Sequence, residues 1–354
     1  MAILLSLPFL WRLLLALVLP CVLSFAGTPV VRRMAFKVGA VDVPKDQRRM
    51  HTVPIPRLGG LAIALAFLFA VLLLIPIAPQ FQGVLLGAIL IVVLGVFDDS
   101  LTLKAIPKLL VQILAAVIAV RSGCAIRYIT DPFSATPGAC IDLGMLSGPV
   151  TVIWIVAITN AVNFIDGLDG LAVGVSAISS LTMLVIALLI AEESVALTMA
   201  ALLGACLGFI PYNFNPAKIF MGDTGSTFLG FMLATMSIQG MFKLYAVISF
   251  AVPFLILGVP IFDICFAVIR RTARGQSPFH PDRGHIHHRL IDMGFSQKQT
   301  VAITYILTGI LGLAAVLLTT SGEGKAMLLL GAVLVVGAAG ILFIFRRDDG
   351  ESNS

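Results

Sequence analysis

Gly148–Gly170 reads GPVTVIWIVAITNAVNFIDGLDG, an apolar run that ends in two Asn and two Asp. Crossing a bilayer takes roughly 17–25 apolar residues, and this stretch supplies most of one crossing before its acids begin. A carboxylate at the centre of a membrane helix costs about 2.5–3.5 kcal/mol. Acids kept beside hydrocarbon therefore need a compensating partner, and a divalent metal shared with a phosphorylated substrate is one. The pattern recurs along the chain. Phe97-Asp98-Asp99 closes another apolar run, NFNPAKIFMGDTGS (Asn213–Ser226) separates two more, and HPDRGHIHH (His280–His288) precedes another.

The rest of the chain agrees with this stretch. It has 354 residues, 59% hydrophobic and only 12% charged, with a mean hydropathy of +1.06. A soluble domain carries about 25% charged residues, so an ordinary globular fold is excluded. Apolar runs predict about eleven spans, starting near Leu13, Leu58, Gln80, Ile106, Gly148, Gly170, Val195, Gly225, Lys243, Gln299 and Lys325. The fold expected is all-α and polytopic, one membrane domain over 1–354 with a short tail from 346. No Lys or Arg precedes Trp11-Arg12, so the first span reads as an uncleaved helix rather than a secretory signal.

Basic residues set the orientation. Eleven spans place 18 of the 23 Lys and Arg on one side, from Arg32 to Arg347, against Arg121, Arg127, Lys243 and Lys325 on the other. The rich side is cytoplasmic by the positive-inside rule, which puts the N-terminus outside and the C-terminus inside. All four polar clusters then face the cytoplasm. This bias accounts for the pI near 9.1 without nucleic acid as a partner. Of the five Cys, Cys124 and Cys140 share the expected outer loop, where a disulfide and two free thiols are both open.

Each cluster has its own chemistry. Asp98 and Asp99 point about 100° apart on a helix, so one can face a metal site while the other faces a substrate proton. Their competing reading is solvation or capping at a helix C-terminus, where paired acids oppose the dipole. Lys104 and Lys108 follow at i, i+4 as a cationic strip suited to phosphate. Asn160, Asn163, Asp166 and Asp169 recur every three residues, and an unbroken helix would turn Asp169 away from Asn160. For all four to address one site, the helix must end within the cluster, and Gly167 and Gly170 allow that. Their oxygens are the hard ligands Mg²⁺ prefers, while a lone Asn in a membrane helix is more often interhelical glue.

Asp223 lies in MGDTGS, where glycines let backbone amides approach a phosphate; it is the leading metal-ligand candidate. Phe220 offers a face for a nucleobase, or simple core packing. No GxxxxGK[ST] loop is present. His285, His287 and His288 with Arg283 fit a diphosphate better than zinc, because no Cys or HExxH spacing accompanies them. Arg49 and His51, in the first basic loop, read either as generic positive-inside charge or as a basic wall facing lipid phosphate. A multispan transporter is the competing class, but it predicts acids near the bilayer midplane and an internal repeat.

With these residues in place, the chain resembles the polyprenyl-phosphate N-acetylhexosamine-1-phosphate transferases, and within them the undecaprenyl-phosphate N-acetylglucosamine-1-phosphate transferase branch. The matching elements are RRMHTVPIPRLGG, GVFDD, KLLVQ, NAVNFIDGLDGLA, NPAKIFMGDTGS and SPFHPDRGHIHHRL, in order from Arg48 to Leu290. The resemblance implies a bacterial inner-membrane enzyme of cell-envelope glycan synthesis with its active site facing the cytoplasm. Its substrates would be a UDP-N-acetylhexosamine and undecaprenyl phosphate, with Mg²⁺ required and Mn²⁺ as a substitute; a homodimer is one assembly considered. The resemblance also implies that Asp98 or Asp99 serves the lipid phosphate, that Asp223 and Asn163 hold Mg²⁺, and that Phe220 and Asp169, with Asp166 and Lys108 nearby, meet the nucleotide. Arg283, His285, His287 and His288 would meet the diphosphate and sugar, and Arg49, His51 and Lys104 the lipid phosphate. Many members carry a third acid in a DDxxD pattern; here that position is Thr102.

Overall fold

Helix follows helix from the first apolar run onward. The computed structural model describes residues 2–43, 53–130, 139–241, 248–273, 275, 285–320 and 331. A one-turn α1 (Ala2–Leu5) precedes the long α2 (Phe9–Val38), and β1 (Val41–Asp42) pairs antiparallel with β2 (Ile55–Pro56). Next come α3 (Gly60–Leu74), α4 (Pro79–Leu101) and α5 (Ala105–Arg121), then a hairpin of β3 (Tyr128–Thr130) and β4 (Cys140–Asp142). The chain continues through α6 (Ser147–Phe164), α7 (Leu171–Leu189), α8 (Glu193–Asn213) and α9 (Gly222–Met236), which ends in a π turn over Ser237–Met241. Then follow α10 (Ile248–Ile256), α11 (Gly258–Ala273), the short α12 (Ile286–Asp292) and α13 (Gln297–Thr320). The two strand pairs are the departure from an all-α expectation.

Among the described residues six helical segments are long and apolar enough to cross a membrane: α2, α4, Gly144–Phe164 (α6 with the turn before it), α7, α8 and α13. The protein is a multi-pass membrane protein. α3 is apolar but only 15 residues long, so it falls below that length, as do α5, α9, α10 and α11 taken singly. The span expected from Lys325 and the tail from 346 lie outside the described residues.

Lipid explains what the surface shows. Leu14, Val18, Val22 and Phe25 on α2 are exposed, as are Leu86, Ile89, Val93 and Phe97 on α4 and Ile306, Ile310, Leu313 and Leu317 on α13. Steps of three and four residues put each set on one helix face, and water would penalise such stripes where hydrocarbon does not. The opposite extreme is α9, whose residues from Thr224 to Met236 are all buried. Small residues bring neighbours against it: the backbones of Gly60 and Gly225 meet where a Cβ on either would collide. Such contacts are how membrane helices associate when hydrophobic burial offers little.

No disulfide joins Cys124 and Cys140; the first is buried with its Sγ 3.7 Å from the Thr235 carbonyl, and the second is exposed.

Candidate active site

Helix ends from most of the bundle meet around a cavity of about 600 Å³, within the range of small-ligand sites. α6 stops at Phe164, the chain turns through 165–170, and α7 begins at Leu171, so the second cluster leaves the helix as its spacing required. Asn163, Asp166 and Asp169 line the cavity. Asn160 stays on the helix and donates to Gln112 Oε1 of α5 and the Val156 carbonyl, both at 2.7 Å. It is interhelical glue in this structure.

The neighbouring acids of α4 have different partners. Asp98 Oδ1 accepts the Leu103 amide at 2.7 Å, which caps its own helix end. Its other oxygen accepts Lys108 Nζ at 2.7 Å, and the same ammonium donates to Asp223 Oδ2 at 2.7 Å. Lys108 thus bridges two carboxylates, a position that its spacing from Lys104 did not announce. Asp99 turns to α9: it accepts the Asp223 amide (2.9 Å), the Thr224 amide (3.0 Å) and the Thr224 hydroxyl (2.6 Å). A carboxylate at a helix N-terminus satisfies orphan amides and complements the dipole. Gly222 makes the approach possible, since its φ of +71° is left-handed and a Cβ there would strike Asp99 and the Arg57 carbonyl. Arg57 Nε donates to the Asp99 carbonyl at 3.0 Å and its guanidinium also reaches Thr102 Oγ1 at 3.2 Å. The position of the family's third acid is therefore an Arg57 contact.

Asn163 donates to Ser226 Oγ at 2.7 Å and hydrogen-bonds Asp223, so the two expected metal ligands are adjacent. On the far wall Asp169 accepts from Asn215 Nδ2 (3.0 Å) and the Ala217 amide (2.9 Å). Phe220 lines the same cavity, held by backbone bonds to Pro56 and Gly59. Burial, followed by the charges of Asp223, Asp99 and Asp169, pushes the Asp166 carboxyl well above the usual carboxylate range. Five carboxylates thus crowd a region where Lys108 pairs with two of them, Asp98 and Asp223, while Arg57 holds the Asp99 main-chain carbonyl. Carboxylate and amide oxygens fit Mg²⁺. Among the described residues no three Asp, Glu, His or Cys side chains form a ready metal cage.

The histidine segment divides. His288 lines the cavity, whereas His285 and His287 are buried behind that wall. Burial, helped by His288 and His285 and opposed by Asp263, pushes His287 down to about 4. An unfolded His, near 6.5, takes its proton first as pH falls. The stability that docked, neutral His287 contributes is therefore full above pH 6.5 and lost as pH falls toward 4. The thermal midpoint is expected to fall more steeply between pH 6.5 and 5 in the native chain than in His287→Phe. Parallel slopes would rule this out.

Arg283, Arg49 and His51 lie outside the described residues, and Lys104 is exposed at the start of α5, away from the cavity lining. Sequence reasoning missed Asp263 on α11 and Gln112; Thr224 and Ser226 stood in the MGDTGS motif, but not as partners of Asp99 and Asn163. Asp263 was findable, because VPIFDICFAV embeds an acid in an apolar run. The others are ordinary polar residues whose partners lie on distant helices.

Comparison with known proteins agrees with this arrangement. Residues 81–241, which hold three of the four clusters, match the family described as Glycosyl transferase family 4. A probable undecaprenyl-phosphate N-acetylglucosaminyl 1-phosphate transferase of Bacillus subtilis is 40% identical over 311 residues, covering 88% of this chain and 86% of the relative. A decaprenyl-phosphate N-acetylglucosaminephosphotransferase of Mycobacterium tuberculosis is 35% identical, covering 93% and 88%. An undecaprenyl-phosphate alpha-N-acetylglucosaminyl 1-phosphate transferase of Yersinia pestis is 31% identical, covering 83% and 81%. With relatives this similar along most of its length, the chain belongs to glycosyl transferase family 4.

Proposed function

We propose that the chain transfers N-acetylglucosamine 1-phosphate from its UDP-sugar to undecaprenyl phosphate at the cytoplasmic membrane face, releasing UMP. The observation that carries this reading is the meeting of Asp98, Lys108, Asn163 and Asp223 next to a cavity whose other wall holds Phe220 and Asp169. The named relatives, which act on polyprenyl phosphates and N-acetylglucosamine, support the substrates.

Phosphoryl transfer asks a protein mainly to align groups and neutralise charge. An oxygen of the lipid phosphate attacks the phosphorus bearing the sugar, and the bond from that phosphorus to the bridging oxygen breaks as UMP leaves. The acceptor is largely a dianion at neutral pH, its second pKa being about 6. A base therefore has at most one proton to remove, and Asp98, its two oxygens engaged by the Leu103 amide and Lys108, acts by holding that ammonium beside Asp223. Lys108 offsets charge where two polyanions meet, and Arg57 adds to it at the cavity rim. Asp223 and Asn163 would hold Mg²⁺, or Mn²⁺ in its place, which when bound neutralises diphosphate charge. Direct attack is favoured over a phospho-Asp intermediate, because Asp98 and Asp99 are 7% and 3% exposed and their oxygens already accept hydrogen bonds. The test is UMP release from a panel of UDP-sugars with undecaprenyl phosphate and Mg²⁺. Turnover with UDP-N-acetylglucosamine, stopped by chelator, is expected; no UMP from any pair rejects the reading.

The reading includes eleven spans, the external N-terminus and location in the bacterial inner membrane, supported by the basic asymmetry and by helix ends gathering at one end of the bundle. In a cysteine-free background, Met145→Cys, at a position 96% exposed, is expected to react with an impermeant maleimide in intact cells. Lys298→Cys is expected to react only after permeabilisation, and the reverse pattern overturns the orientation.

A further inference from the structure

Asp263 is 1% exposed in the apolar helix α11, and no step of the transfer uses it. Both of its oxygens are committed to the histidine segment. His285 Nδ1 lies 2.7 Å from Oδ2, and the Ile286 amide donates to Oδ1 at 2.7 Å. A ring nitrogen this close to a carboxylate carries the proton in the neutral and cationic forms alike, which leaves Nε2 as the lone-pair nitrogen of neutral His285. The Ile286 amide is the first of α12, whose N-cap residue His285 makes no side-chain cap of its own. One buried carboxylate thus fixes both a tautomer and the start of a helix.

From there contacts run to the cavity. The His285 ring lies 7° from parallel with His287 at 5.8 Å, and His287 and His288 have centroids 4.3 Å apart. His287 sits on Gly167, where any Cβ would collide with its ring, and Gly167 adjoins Asp166. His288 then lines the cavity. The Arg289 guanidinium over the Phe266 ring, 4.6 Å from its centroid, ties α12 to α11 a second time.

We propose that Asp263 is a positioning residue for the transfer: by holding His285 and the first amide of α12, it docks the histidine segment against the Gly167 loop and sets His288 in the cavity wall. The proposal rests on the sugar-phosphate transfer reading above, with His288 on the donor's side of the site. Asp263 touches neither substrate, so its effect passes through the imidazoles.

Asp263→Asn is the test, because it keeps the size and removes one acceptor. An amide offers one oxygen and one NH₂, so it can satisfy Ile286 only by presenting its NH₂ to His285, which moves the imidazole proton to Nε2. In protein labelled with ¹⁵N-histidine, one of the five His is expected to be a locked Nδ1–H tautomer, assigned by its loss in His285→Phe. In Asp263→Asn that signal is expected to become Nε2–H. The KM for the UDP-sugar is expected to rise about tenfold or more, in line with losses seen when an orienting partner is removed, while the KM for undecaprenyl phosphate stays within about twofold. Asp263→Glu, which restores the carboxylate, is expected to return the Nδ1–H signal and part of the donor KM. An unchanged tautomer and donor KM in folded Asp263→Asn overturns the proposal. So does a loss in which both KM values are unchanged and turnover falls only with the amount of folded protein. Failure of the functional reading is distinguishable, since the unmutated enzyme would then release no UMP while the tautomer shift was still observed.

Discussion

Asp223→Ala is expected to abolish UMP release while leaving the protein folded. The carboxylate stands between Lys108 and Asn163, and its side chain is 31% exposed toward the cavity. Removing a metal ligand forfeits charge neutralisation worth several kcal/mol. At about 1.36 kcal/mol per tenfold, that corresponds to a loss of roughly a thousandfold or more. Folding is expected to survive because α9 is capped by Asp99, not by Asp223, whose contribution to the cap is its backbone amide. Asp223→Asn keeps the shape and loses the charge, and a similar loss is expected. The measurement is initial UMP release alongside a thermal midpoint and Mn²⁺ binding by spin resonance. Full activity in Asp223→Ala, or undiminished turnover in excess chelator, rejects a metal-centred site.

The second large effect belongs to the neighbouring acids, which are expected to fail for different reasons. Asp99→Ala strands the Asp223 and Thr224 amides and the Thr224 hydroxyl in a buried place. Each buried donor left unsatisfied costs about 1–3 kcal/mol, and loss of a helix cap about 0.5–2 kcal/mol. The N-terminus of α9 carries Asp223, so a frayed first turn removes activity as well as stability. Asp98→Asn keeps an oxygen for the Leu103 amide and loses the charge that faces Lys108. Its expected signature is a fall in turnover with a near-normal melting temperature. Equal activity losses with unchanged melting in both variants would remove the capping role of Asp99.

Much of this arrangement was legible in the residues. NAVNFIDGLDG announced a helix that must end, because three-residue spacing cannot hold one face over nine residues, and α6 does end at Phe164. The acids at apolar run ends marked the helix termini that line the cavity. Asn160 was less legible, since the same side chain serves as ligand or as interhelical glue depending on whether Gln112 stands opposite. The three His read as one recognition group, yet burial sets His285 and His287 behind the wall and leaves His288 on it.

Hydropathy, charge asymmetry and motif spacing are local or additive properties, so the amino-acid order by itself determined that this chain is a multispan membrane enzyme with acids and basic residues gathered at helix ends. Which acid does which job was decided only by tertiary structure. Asp99 caps a helix that begins more than a hundred residues later, Lys108 bridges acids from two helices, and Asp263 holds a histidine 22 positions away. Periodicity fixes the face a side chain takes on its own helix. What stands opposite that face depends on how the helices pack, and among hydrocarbon-solvated helices that is set by small-residue contacts such as Gly60 on Gly225 and by buried polar pairs.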